Sequence, residues 1–352
     1  MAGVTGREVS MAFAKFAANS WGVAASVTKG VYFSSDGGLK LQPNIIEDDA
    51  FGQTFIKQSD VGNIQAPTLS LPSVARFDDH TYILQALAIG SPAAVTISTS
   101  AAGQTTSWLH QFDLSANIDG LGATFAMDKQ RYVEELTSAK IHGFDLEDGE
   151  GGLMRKTYKV IGSKSTNISS VNINSTVGGA NVPLLSNRML KRHGTWRMNL
   201  NSAGALAASD AVPVESVKFS FVRPQDAPFV YGQDYVAEPA DNGFPDFNIE
   251  VQFPRMTTTS ASSLYAGIRD ATAFKADWTF LGAFINSTDQ YKELYQFPYI
   301  QVTDFAAVTV GANQIKPKAT FAARLAPTSP TGMAFVNPFR LTRIMTNSVV
   351  AF

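Results

Sequence analysis

The chain has 352 residues, enough for two domains that each bury a full core. Its composition, 45% hydrophobic and 16% charged, is that of a folded chain low in charge and not of a disordered one. A formal net charge of -2 argues against a general nucleic-acid binder, and the lack of cysteine excludes disulfides, thiolate catalysis and cysteine-ligated metal.

Residues 1–16 do not read as an export signal, because Lys15 interrupts the apolar stretch that follows Arg7 and Glu8. Residues 10–18 are predicted to form a short helix, with Val9, Phe13, Phe16 and Ala17 on one face and Asn19-Ser20-Trp21-Gly22 ending it. The pattern then alternates. Residues 31–33 and 39–41 read as short strands around Ser34-Ser35-Asp36-Gly37-Gly38, and residues 42–63 as a long loop holding Pro43 and Glu47-Asp48-Asp49. A strand-like run at 64–71, closed by Pro72, precedes an apolar stretch at 82–89, and the Ser/Thr/Ala-rich residues 91–107 read as a loop insertion. Strands are expected at 108–114, 123–127, 140–146 and 154–161, the last two flanking a glycine-rich hairpin connection at 147–152. Residues 163–182, rich in Ser, Asn and Gly, mark a domain junction. Beyond it, residues 217–221 and 247–253 alternate apolar with polar, residues 263–270 are helix-like, and strands follow at 275–282, 294–305 and 319–325. No apolar run approaches the roughly 20 residues of a membrane helix.

One arrangement occurs twice. Asp60-Val61-Gly62, a strand closed by Pro72, an apolar stretch and Tyr132-Val133-Glu134-Glu135-Leu136 are matched in order and approximate spacing by a second series. That series is Asp241-Asn242-Gly243, a strand closed by Pro254, residues 263–270 and Tyr291-Lys292-Glu293-Leu294. The expected fold is therefore all-β, with two tandem domains (1–182 and 183–352), each an antiparallel β domain with one helix laid beside it. The long segments 34–63 and 223–245 hold corresponding places and are the loops where function is expected.

Chemistry has few footholds. His80, His110, His142 and His193 form no ligand pair at metal-binding spacing. Glu47-Asp48-Asp49 and Asp145-Leu146-Glu147-Asp148-Gly149 lack the spacing of a calcium loop and read as an acidic patch and a hairpin tip. Gly162-Ser163-Lys164-Ser165-Thr166 lacks the upstream glycine of a phosphate loop. No catalytic, cofactor-binding or metal-binding residue is nominated, and the chain is expected not to be an enzyme. The basic stretch Arg188-Met189-Leu190-Lys191-Arg192-His193-Gly194-Thr195-Trp196-Arg197 suits an interdomain or subunit contact with an acidic loop such as Glu47-Asp48-Asp49, or contact with nucleic acid.

Several blocks are similar to a known family. Gly30-Val31-Tyr32-Phe33 with Leu39-Lys40-Leu41-Gln42-Pro43-Asn44-Ile45-Ile46-Glu47-Asp48-Asp49 is the first. Ala237-Glu238-Pro239-Ala240-Asp241-Asn242-Gly243-Phe244-Pro245 with Val251-Gln252-Phe253-Pro254-Arg255 is the second, and Ala326-Pro327-Thr328, Pro330-Thr331-Gly332-Met333 and Asn337-Pro338-Phe339-Arg340-Leu341 form the third. In this collinear order the chain resembles phage tail tube proteins of the long-tailed, duplicated two-domain type. The resemblance implies a β-sandwich or open barrel with a flanking helix for each domain, and homotrimeric, pseudo-hexameric rings that stack into a hollow conduit, through which DNA passes without specific binding. It also implies tape measure, tail tip and tail terminator proteins as partners, and a place in the virion tail after assembly in the host cytoplasm. It casts residues 34–63 and 223–245 as ring contacts, and the N-terminal segment with Phe13, Phe16 and Trp21 and the C-terminal segment 338–352 as arms docking on neighbours. The alternative is a β-sandwich module of a virion that binds a receptor or carbohydrate, with Phe229, Tyr231 and Tyr235 as its platform.

Overall fold

A computed structural model describes residues 10–16, 20–33, 42–48, 58–65, 67–90, 95–99, 106–166, 169–182, 187–233, 235–255, 264, 267–306 and 315–346. In the first half the strands are β1 (Ser10–Lys15), β2 (Lys29–Val31), β3 (Gln42–Asp48), β4 (Gln58–Gln65) and β5 (Thr68–Val74). Helix α1 (Thr81–Ile89) precedes β6 (Val95–Thr99), β7 (Trp108–Asp113), β8 (Ala123–Asp128), β9 (Val133–Asp148), β10 (Met154–Gly162) and β11 (Ser165–Thr166), and α2 (Asn174–Gly178) follows. The second half has β12 (Gly194–Leu200), β13 (Ser216–Val222), β14 (Gln225–Asp226), β15 (Ala240–Asp241) and β16 (Asp246–Gln252). Residues 267–269 are helical, and β17 (Ala273–Phe284), β18 (Gln290–Ala306), β19 (Lys318–Ala323) and β20 (Arg340–Met345) complete it. The protein is all-β, and every pairing between these strands is antiparallel.

The two halves repeat one pairing scheme. The order β1-β8-β9-β10-β5 in the first half corresponds to β12-β17-β18-β19-β16 in the second. The last strand of each half, β11 or β20, lies along the early part of β9 or β18. The match extends to single residues. Ala123 faces Ala139 and Phe125 faces Leu136 across one irregularity, and Phe274 faces Ile300 and Ala276 faces Phe297 across the other. A second irregularity skips His142 in β9 and Thr303 in β18. Bulges re-aim side chains and are positional features of a fold, so two at matching registers mark a true internal repeat. The small β3–β4 and β14–β15 pairs match as well, Ile45 with Val61 in one and Gln225 with Asp241 in the other.

Strands from both sides of residue 182 share one sheet. β13 pairs with β9 on one edge and β16 on the other, while β7 of the first half lies against β20 of the second. One hydrophobic core likewise runs from Met11 to Met345. β16 shows why the pattern folds this way: Phe247, Ile249 and Val251 turn inward while Asn248, Glu250 and Gln252 alternate outward. All nine residues of α1 are buried, as suits a helix whose one central polar residue, Gln85, is hydrogen-bonded inside the protein.

Five readings change, the first being the run at 64–71: it takes in the end of β4 and the start of β5, and β5 continues through Pro72, paired with Thr157, to Val74. Residues 10–15 are a strand, because Met11 and Phe13 face the main core while Ala12 joins a second cluster with Val27, Ala126, Val133 and Val177. Burial on both faces erases the alternation, so the run imitates a helix. Residues 42–63 hold most of β3 and β4, where a register shift between Pro43 and Ile45 breaks the period, and 91–107 contain β6. The expected C-terminal arm contains β20, which is inserted between β18 and β7. The strand expected at 39–41 lies outside the described residues.

Candidate functional site

The long second-half loop is tied to the first half by buried polar anchors. Arg223 opens it, donating to the carbonyls of Ala88 (3.1 Å), Ile89 (2.9 Å) and Ser115 (2.5 Å) and pairing with Asp241 at 3.1 Å. Its guanidinium thus closes the C-terminal end of α1, where helix carbonyls otherwise lack donors. Lys140 of β9, fully buried, reaches the Pro239 carbonyl at 2.6 Å and Glu238 at 2.9 Å. Glu238 also accepts from the Gly120 amide at 2.7 Å. Trp21 donates its indole N–H to the Val236 carbonyl at 2.9 Å. The free side of the loop presents Phe229, Val230 and Tyr231, with Phe244 95% exposed nearby in sequence. Tyr235 is half-buried, its ring against Gly22. Phe13 and Phe16, expected to dock on a neighbour, are buried within their own chain.

A second group lies in the seam between halves. Glu293 of β18, completely buried, is 2.7 Å from Lys156 of β10 and 3.3 Å from Arg343 of β20, and it accepts from the Tyr295 hydroxyl. Gln85 of α1 accepts from Arg343 at 3.2 Å and donates to Tyr295 at 3.2 Å. Arg343 also donates to the carbonyls of Arg76 (2.9 Å) and Phe77 (3.0 Å). Burial opposes ionisation of Glu293, yet Arg343 and Lys156 hold its carboxyl below the usual range. Burial draws the Lys156 ammonium down against the pull of Glu293. This charge cluster is sealed from solvent and positions the strands that carry it. Sequence reasoning missed it because its members lie far apart in the chain; the available signal was an ionisable residue, Glu293, in the inward phase between Tyr291 and Tyr295.

The outer face of β10, β9, β13, β16 and β19 carries cross-strand ion pairs: Lys159 with Asp145 at 2.8 Å, Lys218 with Glu147 at 3.1 Å and Lys318 with Glu250 at 2.6 Å. A shallow cleft of about 230 Å³ opens there, lined by Glu147, Lys218, Glu250 and Lys318 among others. Asp145, Glu147 and Asp148 therefore meet lysines, Asp148 being 3.1 Å from Lys191. The segment is the end of the β9–β10 hairpin, as expected of it.

The basic stretch is divided. Trp196 is buried in the core and so has no face for a base, while Arg197 is held by Asp277 (Nε–Oδ1 2.9 Å) and Lys191 by Asp148. Its acidic partners lie within the same chain, on β17 and β9. His80 sets its Nδ1 3.1 Å from the Gly30 carbonyl, His110 stacks on Phe112, His142 occupies the β9 bulge, and the His193 Nδ1 accepts from the Leu190 amide. Among the described residues no group of three His, Asp or Glu could hold a metal ion. Gly162 ends a strand and Ser165 begins another, so the 162–166 segment lacks the strand-to-helix setting of a phosphate loop. Among the described residues no helix is long and apolar enough to cross a membrane.

No protein-family model matches the chain, and no curated protein matches it.

Proposed function

We propose that this chain is a structural subunit of a phage tail tube, three copies forming a pseudo-hexameric ring and rings stacking into a conduit for DNA. The observation that carries the reading is the register-level repeat of one β-unit, with the sheet passing from one copy of the unit to the other through β13. A unit that already joins side by side within a chain needs only the same junction between chains to build a ring, and closure removes exposed strand edges. Tape measure, tail tip and tail terminator proteins would meet the ends and interior of such a tube. Negative-stain electron microscopy of the purified chain, dilute and concentrated, tests this. Rings or hollow tubes with threefold or pseudo-sixfold symmetry are expected, and persistent monomers at every concentration would sink it.

A second reading draws on the exposed Phe229, Val230, Tyr231 and Phe244, which give a β-rich virion module an apolar platform for a sugar or receptor. Binding on a glycan array by a chain that never assembles would favour it.

A further inference from the structure

The chain contains one Asn-Gly pair, Asn242-Gly243, and the fold leaves it exposed to solvent. It lies between β15 and β16, at the root of the loop that presents Phe229, Val230, Tyr231 and Phe244. Among the described residues the Asn242 side-chain amide has no hydrogen-bond partner, and the Gly243 backbone N–H donates to none. Gly243 has a φ of +149°, a conformation that residues bearing a Cβ rarely adopt. The turn therefore calls for glycine after Asn242, and glycine is the residue that shields its own nitrogen least.

Other asparagines differ on both counts. Asn174, Asn201 and Asn286 each precede a serine, and their side-chain amides are held by Asp128 at 2.7 Å, the Pro298 carbonyl at 2.7 Å and Asp289 at 3.2 Å. Asn199, before Leu200, donates to Asp210 at 2.9 Å. A side chain fixed in this way does not swing its carbonyl carbon toward the next backbone nitrogen.

We propose that Asn242 is a site of spontaneous modification in the folded chain, converting through a succinimide to aspartate and isoaspartate. The Gly243 nitrogen, its proton lost to solvent base, attacks Asn242 Cγ; a C–N bond forms and the side-chain nitrogen leaves as ammonia. Water then opens the ring. Breaking the new bond at Cγ gives aspartate in an ordinary main chain. Breaking the bond at the main-chain carbonyl carbon gives isoaspartate, whose main chain runs through Cβ and Cγ. The balance is a water taken up and an ammonia lost, so neither an oxidant nor a cofactor enters. The step needs no partner chain and does not rest on the assembly reading.

The position gives the change a structural consequence. The Asn242 N–H donates to the Pro224 carbonyl at 2.9 Å, and Asp241 beside it pairs with Arg223 at 3.1 Å. Residues 242–245 connect β15 to β16, whose start is fixed by Asp246 opposite Val222. Isoaspartate adds a main-chain carbon to that connection, which shifts Asp241 and loosens both the β14–β15 pair and the Arg223 anchor. Aspartate adds only a charge beside Asp241.

Incubation of the purified native chain at mildly alkaline pH, followed by peptide mapping, tests this against the same chain in urea. Exposed loops open at little cost, so conversion in the native chain is expected within about tenfold of the rate in urea. The Asn242 peptide should split into aspartyl and isoaspartyl forms while the peptides of Asn174, Asn201 and Asn286 stay single, and Asn242→Gln should remove the new forms. An Asn242 that stays intact in the native chain while converting in urea would overturn the proposal, as would one that converts in neither. Hydrogen exchange separates the two products. The aged chain should exchange faster than fresh protein across residues 225–241, and Asn242→Asp should not; equal exchange in all three would show that the Arg223 anchor does not feel the change.

Discussion

At Glu293, lysine and arginine side chains from β10 and β20 converge on one carboxylate out of contact with solvent, so each member is held in place by the others. Lys156→Met would strand part of that charge, and a loss of about 3–5 kcal/mol is expected, read from urea unfolding. The double variant Lys156→Met/Glu293→Gln should lose clearly less than the sum of its single changes, since each alone abandons a partner; strict additivity would show that the cluster does not act as a unit. Acid sensitivity follows from the same physics. Burial lowers the His80 pKa from 6.5, the Gly30 carbonyl opposing and Lys29 reinforcing the shift. A depressed folded value means that the unfolded chain binds the proton more readily, so stability is complete above about 6.5 and falls as pH drops below it. Glu293, also held low, adds a loss that begins near the ordinary carboxylate value of 4.5. Thermal midpoints measured against pH should therefore decline first near 6.5, and His80→Asn should shrink that first step; an unchanged profile would remove His80 as a cause.

Among the elements, α1 depends on a residue far from it in sequence. Its C-terminal carbonyls at Ala88 and Ile89 are answered by Arg223, which follows β13 directly. The Ile89 carbonyl also accepts from the Ser115 amide at 3.0 Å, so Arg223→Gln is expected to cost about 1–3 kcal/mol, chiefly for the Ala88 carbonyl, and to speed amide exchange in α1 ahead of β9. A uniform change over both would instead indicate general destabilisation. The helix itself was legible, because every residue of 82–89 except Gln85 is apolar, and so were β13 and β16, half-buried strands with one polar face. Other elements were hidden for physical reasons. β1 separates two apolar clusters, so its inward and outward residues look alike in sequence, and β3 is interrupted at Pro43. The basic stretch could be seen as a patch, yet only the tertiary pairing of β12 with β17 reveals that Arg197 meets Asp277. Anchors such as Lys140 with Glu238 join residues nearly a hundred positions apart and leave no local signature.

For the whole molecule, the repeat and the shared core make different predictions about unfolding, and the second should prevail. Two β-units joined by a bare linker would melt separately. Here β13 is hydrogen-bonded to both units, β7 of one unit flanks β20 of the other, and the Lys156–Glu293–Arg343 cluster crosses the same boundary. Opening either unit would expose apolar surface of the other and strand a buried charge, each costing several kcal/mol. A single cooperative transition is therefore expected despite the length of the chain. The four tryptophans offer a direct readout, because Trp21 and Trp108 sit in the first half and Trp196 and Trp278 in the second. Variants retaining one tryptophan from each half in turn should unfold at coincident urea concentrations. Gly143→Ala, which drives a methyl group into the β9–β13 junction, should move both curves together by about 1–3 kcal/mol. Separate midpoints for the two halves would mean that the shared sheet contributes little, and that the repeat folds as two independent units.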